Sequence, residues 1–277
     1  MKTIVFILFF CINLLGESRI ITLSPSLSEI VFALGMGDKI VANTRYSNFP
    51  LAAQKLPKVG SYANVSVEKI LAFKPTIVLS QNYDQNFLKI LKQLKINTKV
   101  FQTSSLQDIK TTIKDLGIYF KKEEKSNELI SAINNGLKNL KNIVKDKKIL
   151  IVISPRKSLT HGIYVTGNHI YFEDIIKASE NKNAFYSKSS AQPIVNAEKI
   201  INMNPDIIIL LAPFLSQKVK EQNLLINKWS SLPVSASVKQ NIYVISEFYA
   251  GIPSHRVQYF INDFRNILQN VRNKQLQ

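Results

Sequence analysis

Cysteine is almost missing from this 277-residue chain, with Cys11 the only one. A lone thiol excludes an intramolecular disulfide and a thiolate metal cluster. Histidine is nearly as scarce. His161, His169 and His255 are scattered along the sequence, so neither a bare zinc nor a bare manganese site is expected. The nine glycines form no phosphate-cradling loop, and no Gly-x-Ser-x-Gly elbow is present. Those two absences argue against nucleotide hydrolysis and serine-hydrolase chemistry, and the chain reads as a binding protein rather than an enzyme.

Acidic side chains are also few, 19 against 36 Lys and Arg, for a formal net charge of +17. Such an excess can serve nucleic acid, an anionic surface or an acidic ligand. The lysines here fall in runs such as Lys121-Lys122-Glu123-Glu124-Lys125 and Lys145-Asp146-Lys147-Lys148, which suit solvated helix faces. There is no arginine-rich stripe and no basic motif interleaved with aromatics, so nucleic acid is not expected as a partner.

What is present begins with Lys2, an apolar run from Ile4 to Leu15 broken only by Asn13, and then Gly16-Glu17-Ser18. This is the pattern of a secretory signal peptide over residues 1–18, too short to span a bilayer comfortably. Phe10 stands before Cys11, where a lipoprotein signal usually has a small residue, so lipid attachment is not expected. Export to the periplasm would leave a chain starting near Arg19, long enough for two substantial cores.

Along that chain, short β-branched runs alternate with helical patterns: Ile20 to Leu23, Thr76 to Leu79, Lys99 to Phe101, Ile149 to Ile153, Asp206 to Leu211 and Ile242 to Ile245. The alternation predicts α/β units on mostly parallel sheets. Leu129, Ile133, Leu137, Leu140 and Val144 recur at helical spacing, which predicts one amphipathic helix of roughly 25 residues from near Glu123. A helix of that length suits a spine between two lobes better than a crossover inside one sheet.

An internal echo supports two lobes. Ser66-Val67-Glu68-Lys69-Ile70, running on to Pro75 and Thr76-Ile77-Val78-Leu79, returns 130 residues later as Asn196-Ala197-Glu198-Lys199-Ile200, Pro205 and Asp206-Ile207-Ile208-Ile209. Each copy offers a capping residue, a first-turn glutamate, a proline stop and a buried strand. Glu68 and Glu198 either complement helix dipoles or, as a matched pair on separate lobes, engage a symmetric partner.

Arg19-Ile20-Ile21-Thr22-Leu23-Ser24-Pro25-Ser26-Leu27-Ser28-Glu29-Ile30, Ala33-Leu34-Gly35, Arg45-Tyr46-Ser47-Asn48-Phe49-Pro50, Leu56-Pro57-Lys58-Val59-Gly60, Thr166-Gly167-Asn168 and Ser254-His255-Arg256 occur in order with the two echo segments. Together they resemble the cobalamin-binding and iron-siderophore-binding periplasmic proteins. The resemblance implies two Rossmann-like lobes of mostly parallel sheets, joined by one long backbone helix, with a ligand cleft between them. It divides the chain into a lobe over 19–121, a linking helix over 122–147 and a second lobe over 148–277. It also implies a monomer that delivers a small-molecule metal chelate to an ABC permease dimer in the inner membrane, with no covalently bound cofactor. Glu68 and Glu198 match the acidic docking positions of the family.

Loops after strand ends should line the cleft. Ser24 and Ser26 offer hydroxyls and helix-start amides there, or serve as ordinary caps. Arg45 and Tyr46 could meet an anionic or planar ligand, or stay on the surface. Tyr62 matches an aromatic platform of cobalamin binders, whereas haem binders carry a ligating tyrosine one position earlier, where this chain has Ser61. From the second lobe, Arg156, Tyr164, Phe248, Tyr249 and Arg256 are candidates, and Trp229 reads as packing. His255 reads as a helix-start cap. Cobalamin is the expected ligand, and a ferric siderophore or haem is the alternative.

Overall fold

The computed structural model describes residues 18–61, 64–82, 85–156 and 158–276. The expected signal segment up to Glu17, and Tyr62, lie outside these residues. Two six-stranded sheets form the frame. The first holds β1 (Ile20–Thr22), β2 (Ile40–Thr44), β3 (Lys58–Ser61), β4 (Asn64–Val65), β5 (Ile77–Gln81) and β6 (Thr98–Phe101) in the order β4-β3-β2-β1-β5-β6. The second holds β7 (Lys148–Ile153), β8 (Ile163–Val165), β9 (Lys182–Asn183), β10 (Ile194–Val195), β11 (Ile207–Leu211) and β12 (Ile242–Ile245). Its order is β10-β8-β7-β11-β12, with β9 beside β7.

The central strands are parallel, and only β4, β8 and β10 pair antiparallel. Ile149, Leu150, Ile151 and Val152 are all fully buried, as expected of strands covered on both faces. Successive side chains divide between two cores. Ile149, Ile151, Ile207 and Ile209 join one cluster, while Leu150, Val152, Ile208 and Leu210 join another on the opposite face.

The helices are α1 (Pro25–Ala33), α2 (Leu51–Lys55), α3 (Val67–Ala72), α4 (Gln85–Gln93), α5 (Leu106–Tyr119), α6 (Glu123–Lys138), α7 (Tyr171–Ala178), α8 (Ala197–Met203), α9 (Val219–Trp229), α10 (Ser235–Val238) and α11 (Val257–Gln275). The echo lands where the sequence puts it: α3 leads to β5 and α8 leads to β11. Ser66 Oγ accepts from Lys69 N at 3.2 Å and Asn196 Oδ1 from Lys199 N at 2.8 Å, so both copies begin with a side-chain cap.

The expected 25-residue helix is shorter. α6 ends at Lys138, and residues 139–147 form turns in which Asn142 and Asp146 adopt positive φ. Glu180 holds the turn, since its carboxylate accepts from Asn142 N at 2.9 Å and Lys145 Nζ at 3.0 Å. Leu140 and Val144 are still buried, so the apolar spacing survives without the helix. The joining role is shared with α11, which packs along α6. Their approach is close at Gly136, where an added methyl would sit 3.0 Å from Ile261.

One core cluster runs from the first sheet through α5, α6 and α11 to the second sheet, including Ile20, Leu79, Ile113, Ile133, Ile151, Ile209 and Phe260. Among the described residues, no helix is long and apolar enough to cross a membrane.

Candidate ligand-binding cleft

In the first sheet the chain moves to opposite sides of β1, to β2 and then to β5; in the second it moves to opposite sides of β7, to β8 and then to β11. Crevices outside the carboxyl ends of strands at such reversals are the usual ligand sites of open α/β sheets. The two reversals face one another. Between them lies a cavity of about 560 Å³, a size that suits a small molecule.

Pro25 and Ser26 follow β1, Gln81 ends β5, and Thr103 and Ser104 follow β6. From the other lobe come Ile153 and Ser154 at the end of β7, Leu211 and Pro213 at the end of β11, the α7 start at Ile170, Tyr171 and Phe172, and Phe248 with Gly251, Ile252 and Pro253. Ser154 turns the chain in the left-handed region at φ 48°, its amide donating to Leu211 O at 3.2 Å. Gln81 Nε2 donates to Thr103 Oγ1.

Hydroxyls, one carboxamide and apolar surface make up this lining, and among its described residues none carries a charge. Tyr171 is the one described tyrosine in it, and its hydroxyl donates to Ala250 O at 3.0 Å. Burial, reinforced by Glu29, pushes its pKa far up, so the phenol stays protonated. Among the described residues no group of three or more His, Cys, Asp or Glu side chains could hold a metal ion.

A sequence profile described as Periplasmic binding protein matches residues 20–244. The chain belongs to that family. Its members are substrate-binding transport proteins rather than enzymes, and this chain is the binding component of an ABC importer, located outside the cytoplasm. YvrC of Bacillus subtilis, an uncharacterized ABC transporter substrate-binding lipoprotein, is 31% identical over 202 residues, which are 69% of this chain and 62% of that one. The vitamin B12-binding protein of Yersinia pseudotuberculosis is 25% identical over 201 residues, 70% of each chain.

Among solved structures, the periplasmic vitamin B12-binding protein BtuF of Vibrio cholerae superposes with a TM-score of 0.77 at 20% identity, covering 92% of this chain and 98% of its own. The periplasmic heme-binding protein BhuT, in complex with two hemes, reaches 0.76 at 15% identity, covering 93% and 100%. These likenesses show the fold, two lobes around a cleft.

Against that family fold, the sequence-derived candidates separate. Ser26 and Phe248 line the cavity. Ser24 is buried, and its hydroxyl accepts from Leu27 N at 3.2 Å, which makes it the α1 cap instead of a free donor to a ligand. Arg256 is absent from the described lining: it is 7% exposed and paired with Glu29 at 2.9 Å. Tyr249 likewise spends its hydroxyl on Asp263, at 2.6 Å.

Arg45, Tyr46 and Arg156 are exposed and absent from the lining. Tyr164 is opposite Ile153 in the β7–β8 ladder, one strand out from the cavity. Glu68 and Glu198 are exposed in the first turns of α3 and α8. Trp229 is fully buried in the second-lobe core, as packing requires. His255 makes no helix cap; it is buried with Nδ1 unpartnered. Sequence reasoning missed Gln81, Ser154 and Pro213, although each follows from taking strand ends literally. The Ile170 to Phe172 wall gave no such signal.

Proposed function

We propose that this protein captures cobalamin in the inter-lobe cleft and hands it to an ABC permease of the inner membrane. The described part of the lining, which carries no charge, supports the reading. A corrin is fringed by amides, which hydroxyls and Gln81 can meet, and its apolar faces suit Phe172, Phe248 and Leu211. Carboxylates of a haem, or the anionic oxygens of a ferric siderophore, would lose hydration against this surface without an opposite charge in return. Tyr171 does not offer iron a phenolate. The similarity to vitamin B12-binding relatives supports the same ligand. In this reading the protein works in the periplasm as a monomer, delivered there by residues 1–18, and Glu68 and Glu198 meet the two halves of the permease.

The test is a thermal-shift panel of cyanocobalamin, haem and ferric siderophores. Cyanocobalamin at a hundred times its Kd is predicted to add about 2.7 kcal/mol, a rise in Tm on the order of 5–10 °C for a chain of this size. A shift with haem or a siderophore, and none with cyanocobalamin, overturns the assignment.

A further inference from the structure

We propose that two polar staples between the lobes, Glu29 with Arg256 and Asp174 with the start of α5, set the width of the cleft before ligand arrives. The proposal takes the cleft as the ligand site and asks what holds its walls apart.

The first staple lies one turn behind Ser26. Glu29 of α1 meets Arg256 Nη1 at 2.9 Å, and Ser254 Oγ donates to the other carboxylate oxygen at 2.5 Å. Both charged side chains are almost fully buried, at 4% and 9% exposure. The Phe49 ring covers the guanidinium at 3.7 Å and Tyr249 flanks it at 5.4 Å. Ser254 directly follows Pro253, so the pair ties a first-lobe wall to a second-lobe wall. A buried pair of this kind contributes little net stability compared with an apolar replacement, but it is demanding in geometry.

The second staple joins α7 to α5. Asp174 Oδ2, on α7, accepts from Leu106 N at 2.8 Å, across 68 residues of sequence. α5 already has its own capping box, Ser105 with Asp108. Asp174 therefore takes a further free amide at the positive end of the helix. Ser104 lines the cavity just before this helix start, and Tyr171 lines it one turn before Asp174. Tyr171 in turn holds Ala250 O, joining the two second-lobe walls. The contacts thus form a chain across both lobes, α1 to residue 256, residue 250 to α7, and α7 to α5. Directional contacts at two places between the lobes allow little change in wall spacing, whereas an apolar interface alone permits sliding.

The test measures the spacing directly. With Cys11→Ser the chain has no other cysteine, so spin labels at Lys92→Cys and Lys228→Cys, both exposed, report the inter-lobe distance. With staples intact, a single narrow distance is expected, unchanged by cyanocobalamin. Glu29→Met, Arg256→Met and Asp174→Ala together keep the interior apolar. They are expected to broaden the distance in ligand-free protein, to let cyanocobalamin narrow it, and to speed ligand dissociation about tenfold. Asp174→Ala alone, at a half-buried site, should broaden the distance partly, and Asp174→Asn, which keeps an accepting oxygen, should restore it. Equal narrow distributions in all these folded variants overturn the proposal. Failure of the intact protein to bind cyanocobalamin overturns the proposed ligand only, because the ligand-free distances test the staples independently.

Discussion

His255 sits between Ser254 and Arg256, beside the buried ion pair, with its side chain 8% exposed. Burial first, and the Arg256 charge second, lower its pKa to about 4. The unfolded chain takes up this proton near the ordinary value of 6.5. Stability from neutral His255 is therefore complete above that pH and is lost as pH falls toward 4, about 3 kcal/mol in all. Glu29 has the opposite sense, since burial raises its carboxyl pKa against the pull of Ser254 and Arg256, and protonation then favours the folded form. His255→Gln removes one of these titrations and leaves the other. We predict that urea midpoints of the two proteins converge between pH 7 and pH 4, the variant losing less; parallel curves would show that His255 is not the titrating group. The sequence offered His255 as a cap. Only the fold shows that it is enclosed with an arginine.

At the scale of elements, the two echo units carry a division of labour. Ser66 and Asn196 hold the starts of α3 and α8, while Glu68 and Glu198 stand exposed in the first turns, with no hydrogen-bond partner among the described residues to explain their match. Ser66→Ala and Asn196→Ala are each predicted to cost about 1 kcal/mol in urea unfolding. Charge reversal at both glutamates should cost only on the order of 1 kcal/mol or less, yet abolish uptake in cells and leave ligand affinity unchanged. Weakened ligand binding would place the glutamates in the site and remove their docking role. The echo was legible because a cap, a first-turn acid, a proline stop and a β-branched strand are local signals. The end of α6 was not: Leu140 and Val144 keep the helical spacing, and the contacts that unwind residues 139–147 come from Glu180, far along the chain.

For the whole molecule, the decisive feature is a core that does not stop at the lobe boundary. Its cluster joins Ile20 and Leu79 of the first sheet to Ile151 and Ile209 of the second through Ile133 and Phe260. Separating the lobes would expose the part of this surface that lies between them, at roughly 25 cal/mol for each Å². Calorimetry should therefore show one unfolding transition with equal calorimetric and van't Hoff enthalpies; two resolved transitions would mean that the lobes unfold independently. Local pattern alone determined much here: parallel α/β lobes and the duplicated unit, while the ordered motifs carried the resemblance to the family. These depend on residue type and near-neighbour spacing. Which side chains face the cleft depended on tertiary structure, because a residue such as Arg256 is free or engaged according to what lies 227 positions away. The absence of charge among the described lining residues is likewise a product of packing. Thirty-six basic side chains could have supplied a charged site; the fold turns one inward to Glu29 and leaves Arg45 and Arg156 exposed outside the lining, while strand ends and helix starts deliver hydroxyls to the cleft.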